Sequence, residues 1–122
     1  HSSRDAFEYI YANLADQSFE EFWIILLKRN NQIISKKRIS EGGIAGTVAD
    51  PKKIFKITID EQASSIILAH NHPSGNLKPS EQDKQLTRKI LQAGITLEIA
   101  VLDHLILGND SYFSFADENM LN

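Results

Sequence analysis

The chain has 122 residues, of which 42% are hydrophobic and 24% charged, so it has the composition of a single globular domain rather than of a disordered or fibrous protein. Its formal net charge is −3, a balance that does not predict non-specific binding to nucleic acid. Cysteine is absent, which excludes disulfides and thiolate metal sites and leaves His, Asp and Glu to bind any metal.

The apolar runs are much shorter than the roughly 20 residues of a membrane-spanning helix, and the N-terminal residues do not resemble a signal peptide. We therefore expect a cytoplasmic protein without membrane contact. The sequence begins with His1 rather than methionine, as expected either for an excised piece of a longer protein or for a chain with a few residues added at its start. We interpret residues 1–122 as one domain whose residues 1–20 form an N-terminal helical segment.

Residues 5–14 have the periodicity of an amphipathic helix. Apolar side chains recur there at spacings of three and four: Phe7, Ile10, Tyr11 and Leu14. Either Ser3 or Asp5 is expected to cap the helix.

A β-hairpin is predicted next. Residues 21–28 are rich in β-formers, and the pair Asn30 and Asn31 separates them from residues 32–40. Because Asn tolerates positive φ, this pair predicts a turn. The first strand is apolar on both faces and is expected to be central. The second is expected near an edge because it carries consecutive cations, namely Lys36, Lys37 and Arg38.

Residues 41–47 are rich in glycine, but their spacing is not that of a phosphate-binding loop, so they predict a tight turn. Asp50 followed by Pro51 predicts the start of a helix. Its apolar stripe is Ile54, Phe55, Thr58 and Ile59.

Residues 64–70 predict a short central strand, because they are apolar on both faces. Residues 80–93 then predict a helix with Leu86, Ile90 and Ala93 on its inner face, ended by Gly94.

Further β segments are predicted at 95–102 and 104–107, a turn at 108–110 and a last strand from residue 112. The order α-β-β-α-β-α-β-β-β indicates an α/β fold, with a mixed central sheet flanked by helices.

The end of the central strand carries the residues that indicate chemistry. Side chains two apart in a strand point to the same face, so His70 and His72 can converge on one cation. Asp83 lies on the same stripe of its helix as the inner-face residues, and a carboxylate there is costly without a partner. Two imidazoles and one carboxylate, with a fourth position open to water, are typical of a catalytic zinc site and indicate hydrolysis by activated water.

A second interpretation applies to Asp83. Ser80 and Asp83 have the spacing of a capping box, in which each side chain bonds the other residue's backbone N–H. For these two residues alone, capping is the favoured explanation.

The motif resembles a known pattern. His70-x-His72 and Ser80-x-x-Asp83 are similar to the JAMM motif of the JAB, or MPN, domain metalloproteases. The resemblance is closest to the C-terminal domain of the RadC family, and it spans residues 22–121. It rests on three runs of sequence: HNHPSG at 70–75 with Pro79 and Ser80, VLDHLI at 101–106, and YFSFA at 112–116.

This resemblance implies a JAB/MPN fold of the cytidine-deaminase-like kind and a Zn²⁺ ion held by His70, His72 and Asp83. It also implies that Ser80 helps to stabilise the tetrahedral intermediate during cleavage of a peptide or isopeptide bond in a protein substrate. In the metalloproteases, a glutamate from an upstream strand acts as general base. Glu41 is the candidate for that role here, with a surface turn residue as the alternative.

A different function remains open, in which the domain is a binding module. RadC proteins carry a DNA-repair label, and phosphate could meet a cationic group comprising Lys36, Lys37, Arg38, Lys52 and Lys53. The same group needs no function as a solvated edge. For Asp103 and His104, within apolar β segments, a structural hydrogen bond is the favoured interpretation.

Overall fold

A computed structural model of the chain describes residues 2–15, 17–41 and 49–121. The described residues form three helices and five strands. In chain order these are α1 (Ser3–Leu14), β1 (Glu21–Leu27), β2 (Ile33–Glu41), α2 (Pro51–Asp60), β3 (Ser65–Asn71), α3 (Glu81–Leu97), β4 (Ala100–Leu107) and β5 (Tyr112–Ser114). Within these residues, no helix combines the length and the apolar character needed to cross a membrane.

The five strands form one mixed sheet in the order β2-β1-β3-β4-β5. β3 and β4 are parallel and are connected through α3, whereas the other neighbouring pairs are antiparallel. All residues of β3 are buried, as expected for the strand at the centre. The mixed sheet, the interior position of β1 and the edge position of β2 are therefore confirmed.

Helices cover both faces of the sheet. On one face, Ile24, Leu26 and Leu68 pack with Ile54 of α2 and Ile90 of α3. On the other face, alternate residues of the same strands pack against α1; they include Ile25, Ile67 and Ala69, together with Phe7 and Ile10. Strand alternation thus supplies two apolar clusters, and His70 lies on the face that α3 covers.

Two predicted helix starts have different outcomes. Asp50 caps α2 as predicted, because its side chain accepts a hydrogen bond from the N–H of Lys52 at 2.9 Å. The predicted cap of α1 is wrong, since Ser2 is the capping residue and Ser3 already lies in the helix. Ile59 also departs from the prediction, because its side chain is 54% exposed and not part of the buried stripe.

The end of α3 corrects the prediction that Gly94 terminates it. The helix continues to Leu97, and Glu98 ends it in the left-handed conformation with φ 59°. Gly94 has another purpose: a Cβ there would lie only 2.5 Å from the main-chain oxygen of Ile99. Glycine therefore allows the chain that leaves α3 to pass directly against the helix.

The two predicted β segments at 95–102 and 104–107 are one strand, β4, which begins only at Ala100. Consequently there is one strand fewer than predicted among the described residues. The predicted hairpin turn is consistent with the positive φ of 66° at Asn31. The glycine-rich turn predicted at 41–47 lies, apart from the backbone of Glu41, outside the described residues.

Candidate metal centre

The site forms where β3 ends and α3 begins. His70 is the penultimate residue of β3, and the N–H of His72 bonds the main-chain oxygen of Leu107 at 2.9 Å, which holds the chain beside β4. A turn closed by the N–H of Gly75 and the oxygen of His72, at 2.8 Å, then reverses the chain. Gly75 adopts φ 83° in this turn, a conformation that favours glycine.

Three side chains from these two elements converge as predicted. Nε2 of His70 lies 3.1 Å from Nε2 of His72, and each of these nitrogens lies 3.2 Å from an oxygen of Asp83. Two ligands of a tetrahedral zinc ion with bonds of about 2.05 Å are separated by about 3.3 Å. The spacing of the three atoms therefore suits a single ion of this kind.

The chemistry of the donors is equally suitable. Two imidazole nitrogens and one carboxylate oxygen favour zinc and other first-row transition metals over Mg²⁺ and Ca²⁺, which prefer oxygen ligands alone. His70 is 3% exposed and His72 13%. The group is thus partly shielded while remaining accessible from one side.

Asp83 performs both roles that the sequence left open. Its N–H donates to Oγ of Ser80 at 3.0 Å, and its Oδ2 accepts from the N–H of Ser80 at 2.8 Å, which together form the capping box. The same carboxylate faces both histidines. The cap therefore orients the carboxylate for the site, and the two interpretations are compatible.

The electrostatics of the site follow from this arrangement. Burial opposes ionisation of Asp83, but hydrogen bonds from His70 and His72 and the amide of Ser80 outweigh burial and hold the pKa of the carboxyl far below its usual value. The hydrogen bond with Asp83 raises the pKa of His72; burial opposes this shift, and the Asn76 carbonyl and the charges of Asp83 and Glu20 reinforce it. The carboxylate is therefore ionised and available as a ligand.

His104 belongs to this site, which the sequence analysis did not foresee. Its Nε2 lies 2.8 Å from Nδ1 of His70, and its Nδ1 lies 2.6 Å from Oγ1 of Thr87. The sequence shows that Asp103 and His104 are consecutive polar residues in an apolar strand. It does not show that His104 contacts His70 and Thr87, because these residues come from β3 and α3.

Asp103 has the structural role that the sequence favoured. Its carboxylate accepts hydrogen bonds from the N–H of His104 at 2.7 Å, the hydroxyl of Ser114 at 2.7 Å and the N–H of Ala116 at 3.0 Å. Burial raises its pKa, although these three bonds act in the opposite direction. Asp103 thus joins β4 to the chain that follows β5.

Ser80 lies at the exposed rim of the site. Its Oγ accepts the hydrogen bond from the N–H of Asp83. A serine hydroxyl that accepts in this way still has a proton to donate. Ser80 is therefore able to cap α3 and to donate a hydrogen bond to a molecule in the site.

The structure describes the backbone of Glu41 but not its side chain. Its Cα pairs with that of Glu21, so Glu41 lies on β2, two strands away from β3. Its predicted role as general base lies outside the described residues.

A second acid, Glu20, was missed in the sequence. It directly precedes β1, whose antiparallel register places Phe22 opposite His70, and its negative charge contributes to the raised pKa of His72. The buried side chain of Asn71 holds the backbone on both sides of Glu20: it accepts from the N–H of Glu21 at 2.7 Å and donates to the oxygen of Phe19 at 3.1 Å. Extended by two residues, this register would place Glu20 opposite His72, but the pairing of β1 with β3 is not visible in the sequence.

Four of the five residues of the predicted cationic group contact the protein itself. Lys36 donates to the main-chain oxygen of Tyr9 at 3.1 Å and lies over its ring. Lys37 lies 3.7 Å from a carboxylate oxygen of Glu61. Arg38 lies 3.8 Å from an oxygen of Glu21, and Lys53 bonds the oxygen of Ile39. These contacts favour the structural interpretation and give nucleic-acid binding no support.

Comparison with known proteins adds a family to this geometry. The sequence profile of the family described as a RadC-like JAB domain matches residues 1–120. The chain is 46% identical over 119 residues to a UPF0758 protein of Flavobacterium johnsoniae, a match that covers 98% of the chain and 52% of the relative. It is 48% identical over 120 residues to a UPF0758 protein of Porphyromonas gingivalis, covering 98% and 53%. The chain thus spans about half the length of the curated relatives it matches.

Proposed function

The chain belongs to the family of RadC-like JAB domains, and on this premise we propose that it is a zinc-dependent hydrolase of the JAMM type. The proposed substrate is a peptide or isopeptide bond in a protein. One observation carries the proposal: the donor atoms of His70, His72 and Asp83 meet at the spacing of a tetrahedral site.

Each ligand has a defined position before any ion binds. Nδ1 of His72 lies 2.6 Å from the main-chain oxygen of Asn76 and donates to it, so Nε2 is the nitrogen that can lose its proton and bind the ion. The capping box orients the Asp83 carboxylate. A bound zinc ion would supply a Lewis acid that polarises the substrate carbonyl and makes water a nucleophile near neutral pH.

A hydrolase of this type also needs a group that accepts the proton of the attacking water. We assign this role to Glu20, because its charge acts on His72 and Asn71 holds its backbone beside the site. Glu20 would then return the proton to the leaving nitrogen. Glu41 is retained as the alternative base.

The substrate carbonyl gains negative charge as water attacks. The Ser80 hydroxyl lies at the first position before α3, with its proton available to donate to that oxygen. The N-terminal end of α3 also favours negative charge at this point.

Zinc binding tests the proposal directly. We expect the purified chain to bind one zinc ion, measured by calorimetry and by elemental analysis after gel filtration, and to hydrolyse a peptide or isopeptide substrate only when loaded. His72→Ala and Asp83→Asn should both lose the zinc, because each removes one ligand. Asn at position 83 can still accept the Ser80 N–H, so loss of zinc there is not a consequence of a lost cap.

Two controls accompany this experiment. Asp60→Asn removes a carboxylate from an exposed helix position that pairs with Lys56. Ser80→Ala removes the hydroxyl of the capping box but leaves the three ligands and the backbone N–H that bonds the Asp83 carboxylate. Both should keep the zinc. An unmodified chain that takes up no zinc, or site variants that retain it, would contradict the proposal.

A further inference from the structure

A buried chain of hydrogen bonds connects two of the proposed ligands. It runs from His70 to His104, from His104 to Thr87 and from Thr87 to the main-chain oxygen of Asp83. β3, β4 and α3 each contribute to it. Because one end is a carbonyl group, which can only accept, the direction of every bond can be derived.

The main-chain oxygen of Asp83 fixes the direction of the first bond. The Thr87 hydroxyl lies 2.7 Å from the Asp83 carbonyl oxygen and must donate its only proton there, since two oxygens this close repel without a proton between them. At its second contact, 2.6 Å from Nδ1 of His104, the hydroxyl can then only accept. Nδ1 of His104 therefore carries a proton.

His104 has one ring proton and not two. Its side chain is fully buried, with the Phe115 ring stacked on it at 4.7 Å between ring centres. A second ring proton would place a cation in the interior beside a hydroxyl and another imidazole, neither of which carries negative charge, so the ring is neutral. With the proton on Nδ1, its Nε2 accepts.

The last bond follows from the others. Nε2 of His104 lies 2.8 Å from Nδ1 of His70, so Nδ1 of His70 must donate. The other nitrogen of His70, Nε2, faces His72 and Asp83. With a proton held on Nδ1, Nε2 is the nitrogen that is left to bind a metal ion.

We propose that Thr87 and His104 are positioning residues that keep the proton of His70 on Nδ1, so that Nε2 is prepared as a metal ligand. The inference rests on the proposed metal site for its purpose, but the location of the proton does not depend on a metal. In His72, a single hydrogen bond to the main-chain oxygen of Asn76 keeps a proton on Nδ1. In His70, which is buried under α3, two further side chains, His104 and Thr87, are needed for the same result.

The test uses Thr87→Val, which keeps the shape of the side chain and removes the hydroxyl. Thr58→Val is the matched control: Thr58 is also buried, and its hydroxyl donates to the main-chain oxygen four residues earlier at 2.7 Å, on α2 and outside the hydrogen-bond chain. Two readouts are needed. The ¹⁵N and ¹H NMR signals of the histidine rings show which nitrogen is protonated in the metal-free protein, and competition with a chromophoric chelator gives the zinc affinity.

We expect Nδ1 of His70 to be protonated in the unmodified protein and in Thr58→Val. In Thr87→Val, His104 loses its acceptor and can carry its proton on Nε2, which then donates to Nδ1 of His70 and displaces that proton. Loss of such supporting contacts lowers metal affinity by roughly 10- to 100-fold. Thr58→Val should bind zinc as the unmodified protein does.

A second pair of variants distinguishes the loss of the hydrogen bond to His70 from a general loss of folding. His104→Gln offers one donor and one acceptor and should preserve the protonation of His70 and most of the zinc affinity. His104→Met fills similar space without either group and should lose both. If a folded His104→Met binds zinc with unchanged affinity, the inference is overturned.

The outcomes distinguish this inference from the proposed function. If the unmodified protein binds no zinc, the proposed function fails, while the NMR signals still decide where the His70 proton lies. If zinc binds but Thr87→Val and Thr58→Val agree in ring protonation and in affinity, the inference fails and the proposed function stands.

Discussion

At the scale of single residues, the site is built from side chains that serve two purposes. Asp83 caps α3 and also faces both histidines. Its Oδ1 lies near His70, while its Oδ2 lies near His72 and accepts the N–H of Ser80. Asn71, which lies between the two histidines in sequence, points its amide to the backbone beside Glu20. In residues 70–72, the two histidines therefore provide candidate metal ligands, and the asparagine between them holds the backbone next to the candidate base Glu20.

The identity of the general base is the prediction that belongs to this scale. Glu20→Gln keeps the size of the side chain but cannot accept the proton, so we expect hydrolysis by the zinc-loaded protein to fall by about 10²- to 10⁴-fold with zinc content unchanged. Glu41→Gln is the matched control and should retain activity. The reverse result, with activity lost only in Glu41→Gln, would assign the base to Glu41.

At the scale of elements, α3 determines which side chains meet. Its first turn carries Asp83, its second presents Thr87 to His104, and Ile90 packs on the sheet. Near its other end, only a residue without a side chain fits at Gly94 against the main chain at Ile99. Glycine therefore allows α3 and the chain that follows it to pack in direct contact.

Gly94→Ala tests that arrangement. Alanine favours helix over glycine by about 1 kcal/mol, but here its Cβ would meet the Ile99 oxygen. We expect a net loss of roughly 1–3 kcal/mol in the free energy of unfolding, measured by urea denaturation. Thr96→Ala, at an exposed position of the same helix, should change stability little. A more stable Gly94→Ala would show that the chain at Ile99 moves aside freely.

At the scale of the whole molecule, the core does not involve the proposed ion. Two apolar clusters lie on opposite faces of the sheet, and they consist of residues from the strands and all three helices. The site lies at one end of this framework. A fold supported in this way differs from small zinc domains that unfold when the metal is removed.

We therefore expect the metal-free protein to remain folded after chelation, with its far-UV circular dichroism unchanged. Free zinc at 100 times its dissociation constant should stabilise it by about 2.7 kcal/mol, seen as a higher midpoint of thermal unfolding. Asp83→Asn should show no such increase. Unfolding of the unmodified protein on chelation would mean that the ion is structural.

The sequence by itself determined most of the elements and the three candidate ligands. Periodicity, the Asp50-Pro51 helix start and the alternation of His70 and His72 are local signals, and local signals act over a few residues of backbone geometry. For the same reason Asp83 was correctly placed on the inner face of its helix. The spacing of the three ligands along the chain was sufficient to indicate their convergence.

Only the tertiary structure decided the rest. Gly94 lies inside α3 and not at its end, and the close approach of the main chain at Ile99 accounts for a glycine at that position. The acid opposite His72 was found through the pairing of β1 with β3. The connection of His70 through His104 to Thr87 joins residues from three elements. Such contacts depend on sheet order and helix packing, which periodicity along a single chain does not encode.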